Sequence, residues 1–406
     1  MRTPLCCFAI ALLPALTIPG GHAARAATTT VIYSFAGGED GEYADTDLVR
    51  DAAGNLYGTT VQGGTSASGT VWELSPSNGS WTHSVLYSFS GGTDGGEPYK
   101  GVTLDGQGNI FGTAVTGGSG GCEGGCGVVY ELTNSGSTWT QTVIHAFTGS
   151  DDGAGPGAGL SIDSNGDVYG TTPTGGTYGA GTIFRLHRGK GDQWKLKVLH
   201  AFTGGSDGIG GSAGRLVLSG THVYGTATAG GDNSQGAAFE LTQKQSGRWK
   251  FMPIYQFTGQ PDAGFPYGGL ALDISGNLYG TTYYGGASGM GSVYRLARKS
   301  GAWSEKLLYS FKGGSDGGAP LGNVVIDATG NLFGTTSGGG SAGDGVIFEL
   351  SPSGGKWKET VGHAFQGPPD GALAYNGMVG DGAGNYYGAT TRGGASDEGA
   401  LYEFTP

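Results

Sequence analysis

A chain of 406 residues with 88 glycines, 15 prolines and a net charge of −12 excludes several classes at once. The acidic balance, unrelieved by any basic run, argues against nucleic acid and anionic lipid as partners. Glycine and proline reach about a quarter of the chain, a level at which disorder is a serious reading. However, 20 Tyr, 16 Phe and 7 Trp recur at fixed offsets, which requires ordered structure with many turns.

The first 26 residues read as a secretory leader: Arg2 supplies the positive start and residues 5–18 form an apolar run. Ala24-Arg25-Ala26 then gives small residues at a cleavage site, so the mature chain is expected to begin at Ala27. The run is short for a membrane span, and a secreted or periplasmic location follows. Without the leader, 19 Lys and Arg face 33 Asp and Glu, a net −14, with no transmembrane segment expected in the mature chain.

A strand-like segment, residues 28–35, comes next and stands alone. After it one unit repeats seven times. The motif Gly-Asn-Leu-Tyr-Gly-Thr-Thr or a close variant begins at Gly54, Gly108, Gly166, Thr221, Gly276, Gly330 and Gly384. A second marker, Tyr or His two residues before Phe, begins at Tyr33, Tyr87, His145, His200, Tyr255, Tyr309 and His363, with spacings of 54, 58, 55, 55, 54 and 54. A fixed period of this length signals an array, a solenoid or a propeller.

Each unit holds four short segments rich in Val, Leu, Tyr and Thr; in the fifth they are residues 269–273, 277–282, 292–296 and 303–311. Such segments, bounded by Gly, Asp and Pro, read as strands, and no sustained period of 3.6 is present. Six units open the fourth segment with Trp, at Trp81, Trp139, Trp194, Trp249, Trp303 and Trp357. The seventh unit ends after its third segment, and the orphan at residues 28–35 can supply its fourth. The predicted fold is therefore all-β: a seven-bladed β-propeller of four-stranded antiparallel blades over residues 27–406, closed by the N-terminal strand joining the last blade.

The pattern YSF-x-GG-x-DG, then D-x-x-GN-L-Y-GTT-x-x-GG, then G-x-V-x-E-L resembles the GloVer (Gloeo/Verruco) tandem repeat of choice-of-anchor proteins. The resemblance spans nearly all of residues 31–404. It implies an exported bacterial surface protein, and it brings no biochemical activity with it.

In a four-stranded blade, the loop entering each blade shares a face with the loop between its second and third strands. One face should thus carry a ring of glycine loops with Asp40, Asp94, Asp152, Asp207, Asp262, Asp316 and Asp370. Their structural reading is a turn cap, an Asp accepting from a backbone N–H two residues on; their functional reading is a ring of carboxylates for calcium or sugar hydroxyls. The Gly-Thr-Thr loop lacks a following helix and a Gly-Lys-Ser/Thr run, so it is not a phosphate cradle. Its glycine suggests close backbone approach between packed blades.

Cys122 and Cys126, in Gly-Gly-Cys-Glu-Gly-Gly-Cys-Gly, suggest a disulfide in an exported chain rather than a zinc site, which needs further ligands. His145, His200 and His363 replace the Tyr of the repeat and read as packed, while His83, His187 and His222 show no partner pattern. No His-Glu-x-x-His motif occurs, and no cofactor is implied. The adjacent aromatics Tyr283-Tyr284, unique to the fifth unit, are the first place to look for a ligand. The expectation is a non-catalytic binding module for an extracellular glycan or a surface protein. The alternative is a polysaccharide hydrolase or lyase with acids converging over the central pore; a mouth with two or more non-repeated acids or histidines would favour it.

Overall fold

The computed structural model describes residues 27–136, 138–211 and 214–406, and the expected leader, residues 1–26, lies outside the described residues. Seven antiparallel blades follow one another around a central axis, each built on four strands, with Ile209–Gly211 adding a fifth short strand to blade 4. Blade 5 serves as the example, running outward as Ala271–Leu272, Leu278–Thr282, Ser292–Lys299 and Ala302–Ser310. Blade 7 is composite: Val379–Gly380, Tyr386–Thr390 and Ala400–Thr405 are completed by Thr28–Ser34, with Thr28 opposite Thr405 and Ser34 opposite Ala400. The orphan segment closes the ring as its sequence required. Among the described residues there is no helix long and apolar enough to cross a membrane.

Short innermost strands and long outer ones follow from the repeat. The Leu-Tyr-Gly-Thr-Thr segment or its equivalent is buried throughout in every blade, whereas the outer strands begin by alternating half-buried and exposed positions. The glycine of this motif has a different reason from the one its sequence suggests. Gly280 lies opposite Tyr294 in the ladder, and a Cβ there would meet the Tyr294 hydroxyl at 2.5 Å. The approach is made by an aromatic ring of the same blade, not by the backbone of a neighbour.

That ring is then touched by the previous blade. The Phe ending each outer strand packs against the third-strand aromatic of the next blade, as in Phe257 on Tyr294 and Phe147 on Phe184. The seven equivalent pairs have centroids 5.0–5.7 Å apart and ring planes crossed at 60–68°. Edge-on pairs of this kind add roughly 0.5–1.5 kcal/mol each beyond the area they bury. Each of the core clusters is accordingly built from two adjacent blades, not from one.

Register breaks at one equivalent place in each blade, where a bulged residue of the outer strand turns inward. Ile144, Ile254 and Leu308 fill this position in three blades and are buried. Blade 6 has Gly362 instead, and a Cβ there would stand 2.5 Å from the ring of Phe404, which replaces the usual leucine in blade 7. Restoring the aliphatic residue, Gly362→Ile, is therefore expected to destabilise by about 1–3 kcal/mol. Urea unfolding of the variant checks this, and a stability gain would show that the Phe404 ring yields freely.

Candidate functional site

The seven aspartates of the glycine-loop face act as latches. Asp94 accepts from the Tyr87 hydroxyl at 2.9 Å and from the Ser90 N–H at 2.9 Å; Asp207 pairs with His200 Nε2 at 2.9 Å and accepts from the Thr203 N–H at 2.9 Å. Asp40, Asp152, Asp262, Asp316 and Asp370 repeat the arrangement with Tyr33, His145, Tyr255, Tyr309 and His363. The backbone donor lies four residues before each Asp, rather than two after it, so the carboxylate spans from the outer strand of one blade into the loop entering the next. None of the seven is exposed. Among the described residues no group of three or more His, Cys, Asp or Glu is placed to hold a metal.

The remaining histidines have partners that no repeat pattern announces. His83 Nδ1 lies 3.1 Å from Asp40, His187 Nδ1 2.5 Å from Asp167 and His222 Nδ1 2.6 Å from Glu240. The outer-strand position of His83 is taken by Glu305 in blade 5 and Glu359 in blade 6, where the facing latch is Asp262 or Asp316. Burial and then the neighbouring aspartate push Glu305 up to about 7, and the same two causes push Glu359 up to about 7. Sequence spacing could have located this position, four residues before each Tyr or His marker, but not the facing charge.

Loop backbones on this face are alike while their side chains differ. Three residues after each latch comes a residue with positive φ: Tyr43, Glu97, Gly155, Gly210, Phe265, Ala319 and Leu373. Its N–H bonds the preceding blade's loop, from Phe265 to the Gln235 carbonyl at 2.8 Å and from Tyr43 to the Glu398 carbonyl at 2.8 Å. This left-handed turn is uncommon for side chains other than glycine, and the inter-blade bond holds it. Variable groups are thereby displayed on a repeated frame.

The pore mouth breaks sevenfold symmetry. Asp45, Lys100 and Asn376 come from the loops entering blades 1, 2 and 7 and meet there: Lys100 Nζ donates to Asp45 Oδ1 at 3.0 Å and Asn376 Oδ1 at 2.7 Å, while Asn376 Nδ2 donates to Asp45 Oδ1 at 2.8 Å. Asp47 accepts from the Gly377 N–H at 3.3 Å, and Arg215 donates to the Val102 carbonyl at 3.0 Å. Burial would lower the Lys100 pKa, but the carboxylates of Asp45 and Asp47 outweigh it and hold the ammonium above its ordinary range. The cluster is thus one ion pair, Lys100 with Asp45, closed by hydrogen bonds to Asn376, and it clamps the blade carrying the ring closure to its two successors. Two non-repeated acids do stand at the pore, yet both are engaged by donors of this clamp.

Beside the pore, blade 5 presents an aromatic apron. Phe265, Tyr267, Tyr283 and Tyr284 line a hollow of about 280 Å³. Tyr267, Tyr283 and Tyr284 are 38%, 45% and 40% exposed. Their rings pair edge-on, Tyr267 with Tyr283 at 5.8 Å and Phe265 with Tyr284 at 6.4 Å. Tyr267 also borders a second hollow of about 340 Å³ towards blades 3 and 4, floored by Gly157, Gly210 and Gly211, and a small cavity reaching Lys100 and Asn376. Tyr283 and Tyr284 are therefore brought into one surface with Phe265 and Tyr267. The seven aspartates stay within their latches. Cys122 and Cys126 form a disulfide, in the longer loop of blade 2.

A family model described as the Gloeobacter/Verrucomicrobia repeat matches residues 119–313 and again 213–406. No curated protein matches the chain. Among solved structures, a candidate 6-phosphogluconolactonase from Bacteroides uniformis is similar at 16% identity and TM-score 0.53, over 78% of this chain and 84% of that one. The polysaccharide lyase Uly1 is similar at 13% identity and TM-score 0.51, covering 89% of each chain. A hypothetical selenium-binding protein from Sulfolobus tokodaii is similar at 9% identity and TM-score 0.53, over 88% of this chain and 87% of that one. At such identities these likenesses establish the propeller fold alone.

Two outcomes follow from the charges described. Lys100→Met leaves Asp45 without its cation and is expected to cost about 3 kcal/mol in denaturant unfolding. Glu305 and Glu359 bind protons more tightly folded than unfolded, so their contribution is full below the ordinary pKa of 4.5 and is lost as pH rises through about 7. The Glu305→Gln/Glu359→Gln variant should accordingly gain melting temperature over the parent at pH 8 and not at pH 5; an equal offset at both values would contradict the assignment.

Proposed function

We propose, from the premise that this chain belongs to the Gloeobacter/Verrucomicrobia repeat family, that it is an exported, non-catalytic propeller that binds an extracellular glycan on its glycine-loop face. The observation that carries this reading is the apron of blade 5. At its four positions the other blades supply one aromatic at most, Tyr43, Tyr99 or Tyr375, whereas blade 5 supplies four. Exposed tyrosines offer a flat apolar face to a sugar ring and a hydroxyl to its edge, with little side-chain entropy lost on binding. The Cys122–Cys126 disulfide and the leader-like residues 1–26 support a location outside the cytoplasm. The acidic surface disfavours polyanionic chains, so the ligand class is a neutral polysaccharide.

A second reading, a hydrolase or lyase acting over the pore, draws on the non-repeated Asp45 and Asp47. It is weaker because Lys100 and Asn376 occupy Asp45, and because Lys100 is held as a cation and cannot serve as a base near neutral pH. Release of new sugar ends from a polysaccharide panel, abolished by Asp47→Asn with the melting temperature unchanged, would favour it.

Binding is read by affinity electrophoresis in neutral polysaccharides. Tyr283→Ala and Tyr284→Ala should each weaken retention about tenfold with the melting temperature unchanged. Tyr178→Ala, a 64% exposed tyrosine of a different blade, should have no effect. Equal losses in all three variants, or retention of none of the polysaccharides by the parent, would refute the reading.

A further inference from the structure

Below the Lys100 clamp the central channel departs from the repeat a second time. Each innermost strand has one position paired with the second-strand aromatic, as Val49 is with Tyr57 and Val217 with Tyr224. Two residues before that position, blades 2, 3, 5 and 7 place glycine, and blades 1, 4 and 6 place Asp47, Arg215 and Asn323. The glycines make the room. A Cβ at Gly159 would stand 3.2 Å from Arg215 Nε, and one at Gly377 would stand 2.3 Å from Asn323 Oδ1. Each of these two side chains is thus laid over the glycine of a neighbouring blade.

Asp47 and Arg215 carry opposite charges that do not meet. Asp47 accepts from the Gly377 N–H through Oδ1 alone, and Arg215 donates through Nη2 to the Val102 carbonyl. Among the described residues neither side chain has a further hydrogen bond or an ion pair. Burial pulls the Arg215 pKa below its ordinary range, and Asp47 is near enough to oppose that shift. Were the two present only to brace the ring, the long guanidinium arm would close on the carboxylate, because a buried charge is costly unless paired. Lys100 does not answer Asp47 either, since its Nζ is engaged by Asp45 and Asn376.

A cavity of about 390 Å³ lies along the channel at this level, within the range of roughly 300–1,000 Å³ typical of small-molecule sites. Asp47, Arg215 and Asn323 line it, followed by the aliphatic Val49, Val217 and Val379. Arg50 stands one residue further along, where blades 2 to 6 carry Leu or Ile, with its Nε buried and unbonded. No aromatic ring among the described residues lines the cavity, so it lacks the flat face on which a sugar stacks. A plain carboxylic acid would leave Asp47 unanswered, and a bare cation would face Arg215.

We infer that the channel is a binding site for a free α-amino acid with an aliphatic side chain, its carboxylate on Arg215 and its ammonium on Asp47. Two opposite charges held apart are the complement of a zwitterion, and the valines beyond them receive its apolar side chain. The Asn323 amide stands beside the charges as a further polar contact. This site lies beneath the clamp, away from the aromatic apron, and does not rest on the glycan reading.

The test uses the chain from Ala27 onward and ligand-observed NMR, with L-valine, L-leucine, L-isoleucine and L-methionine as probes. Saturable binding of at least one is expected. Its N-acetyl and carboxamide derivatives, which each lack one charge, should bind at least tenfold more weakly. Arg215→Met and Asp47→Asn should each weaken the parent amino acid at least tenfold. Val217→Phe, which fills the cavity and keeps both charges, should do the same, while Tyr283→Ala/Tyr284→Ala should leave binding unchanged. The derivatives probe the same two contacts on the unaltered protein, so a variant that fails to fold leaves the test intact. No saturation by any of the amino acids up to about 10 mM, or binding insensitive to both Asp47→Asn and Val217→Phe, would overturn the site. Derivatives binding as tightly as the parent, or saturation by sorbitol in place of the amino acids, would overturn the zwitterion as its ligand.

Discussion

Every blade is joined to the next through one aromatic contact that depends on a missing side chain. The glycine of the second strand leaves room for the third-strand ring to lie across it, and the phenylalanine of the previous blade closes on that ring. Were the glycine replaced, the ring would lift, the phenylalanine would lose its partner, and two blades would separate at their core. Because the clusters are shared between neighbours, no blade has a core of its own to fall back on. The ring is stable as a cycle of such junctions, which makes closure by Thr28–Ser34 a condition of the fold rather than an ornament.

A frame this repetitive leaves the loops free to differ. The latches and the left-handed turns tie each loop to the blade before it through carboxylates and backbone groups, so the side chains between those ties are not needed for cohesion. Blade 5 uses that freedom for four aromatic rings. The loops entering blades 1, 2 and 7 use it for Asp45, Lys100 and Asn376, whose contacts reach across the point where the two ends of the chain are joined. Sevenfold repetition builds the support, and departures from it locate the chemistry.

The two faces depart in different ways. On the glycine-loop face, groups have been added; at the junction of blades 6 and 7, Ala27 stands six residues before Tyr33, where the other blades place tryptophan. There the enlarged Tyr386 and Phe404 and the reduced Gly362 are a local repacking, and each makes sense only beside the others. A consensus residue at any one of them would meet a neighbour that is not at consensus.

Much of this architecture is legible in the sequence. The seven units, their four strands, the orphan segment and its place in the last blade follow from period and pattern, because strand pairing in a closed ring admits one solution. Tyr283 and Tyr284 were legible as an exception to the repeat. The latches were legible as residues but not as contacts: the donor to each aspartate sits four and seven residues upstream, a distance fixed by how the outer strand enters its loop. The partners of His83, His187 and His222, and the meeting of Asp45 with Lys100 and Asn376, could not be read at all. Residues 45 and 376 are adjacent only because the ring closes. Sequence alone determined the local ladder, where neighbours along the chain are neighbours in space. Tertiary structure decided which unlike loops face one another across the pore and which charges share the channel beneath them, because those depend on the curvature of the whole ring.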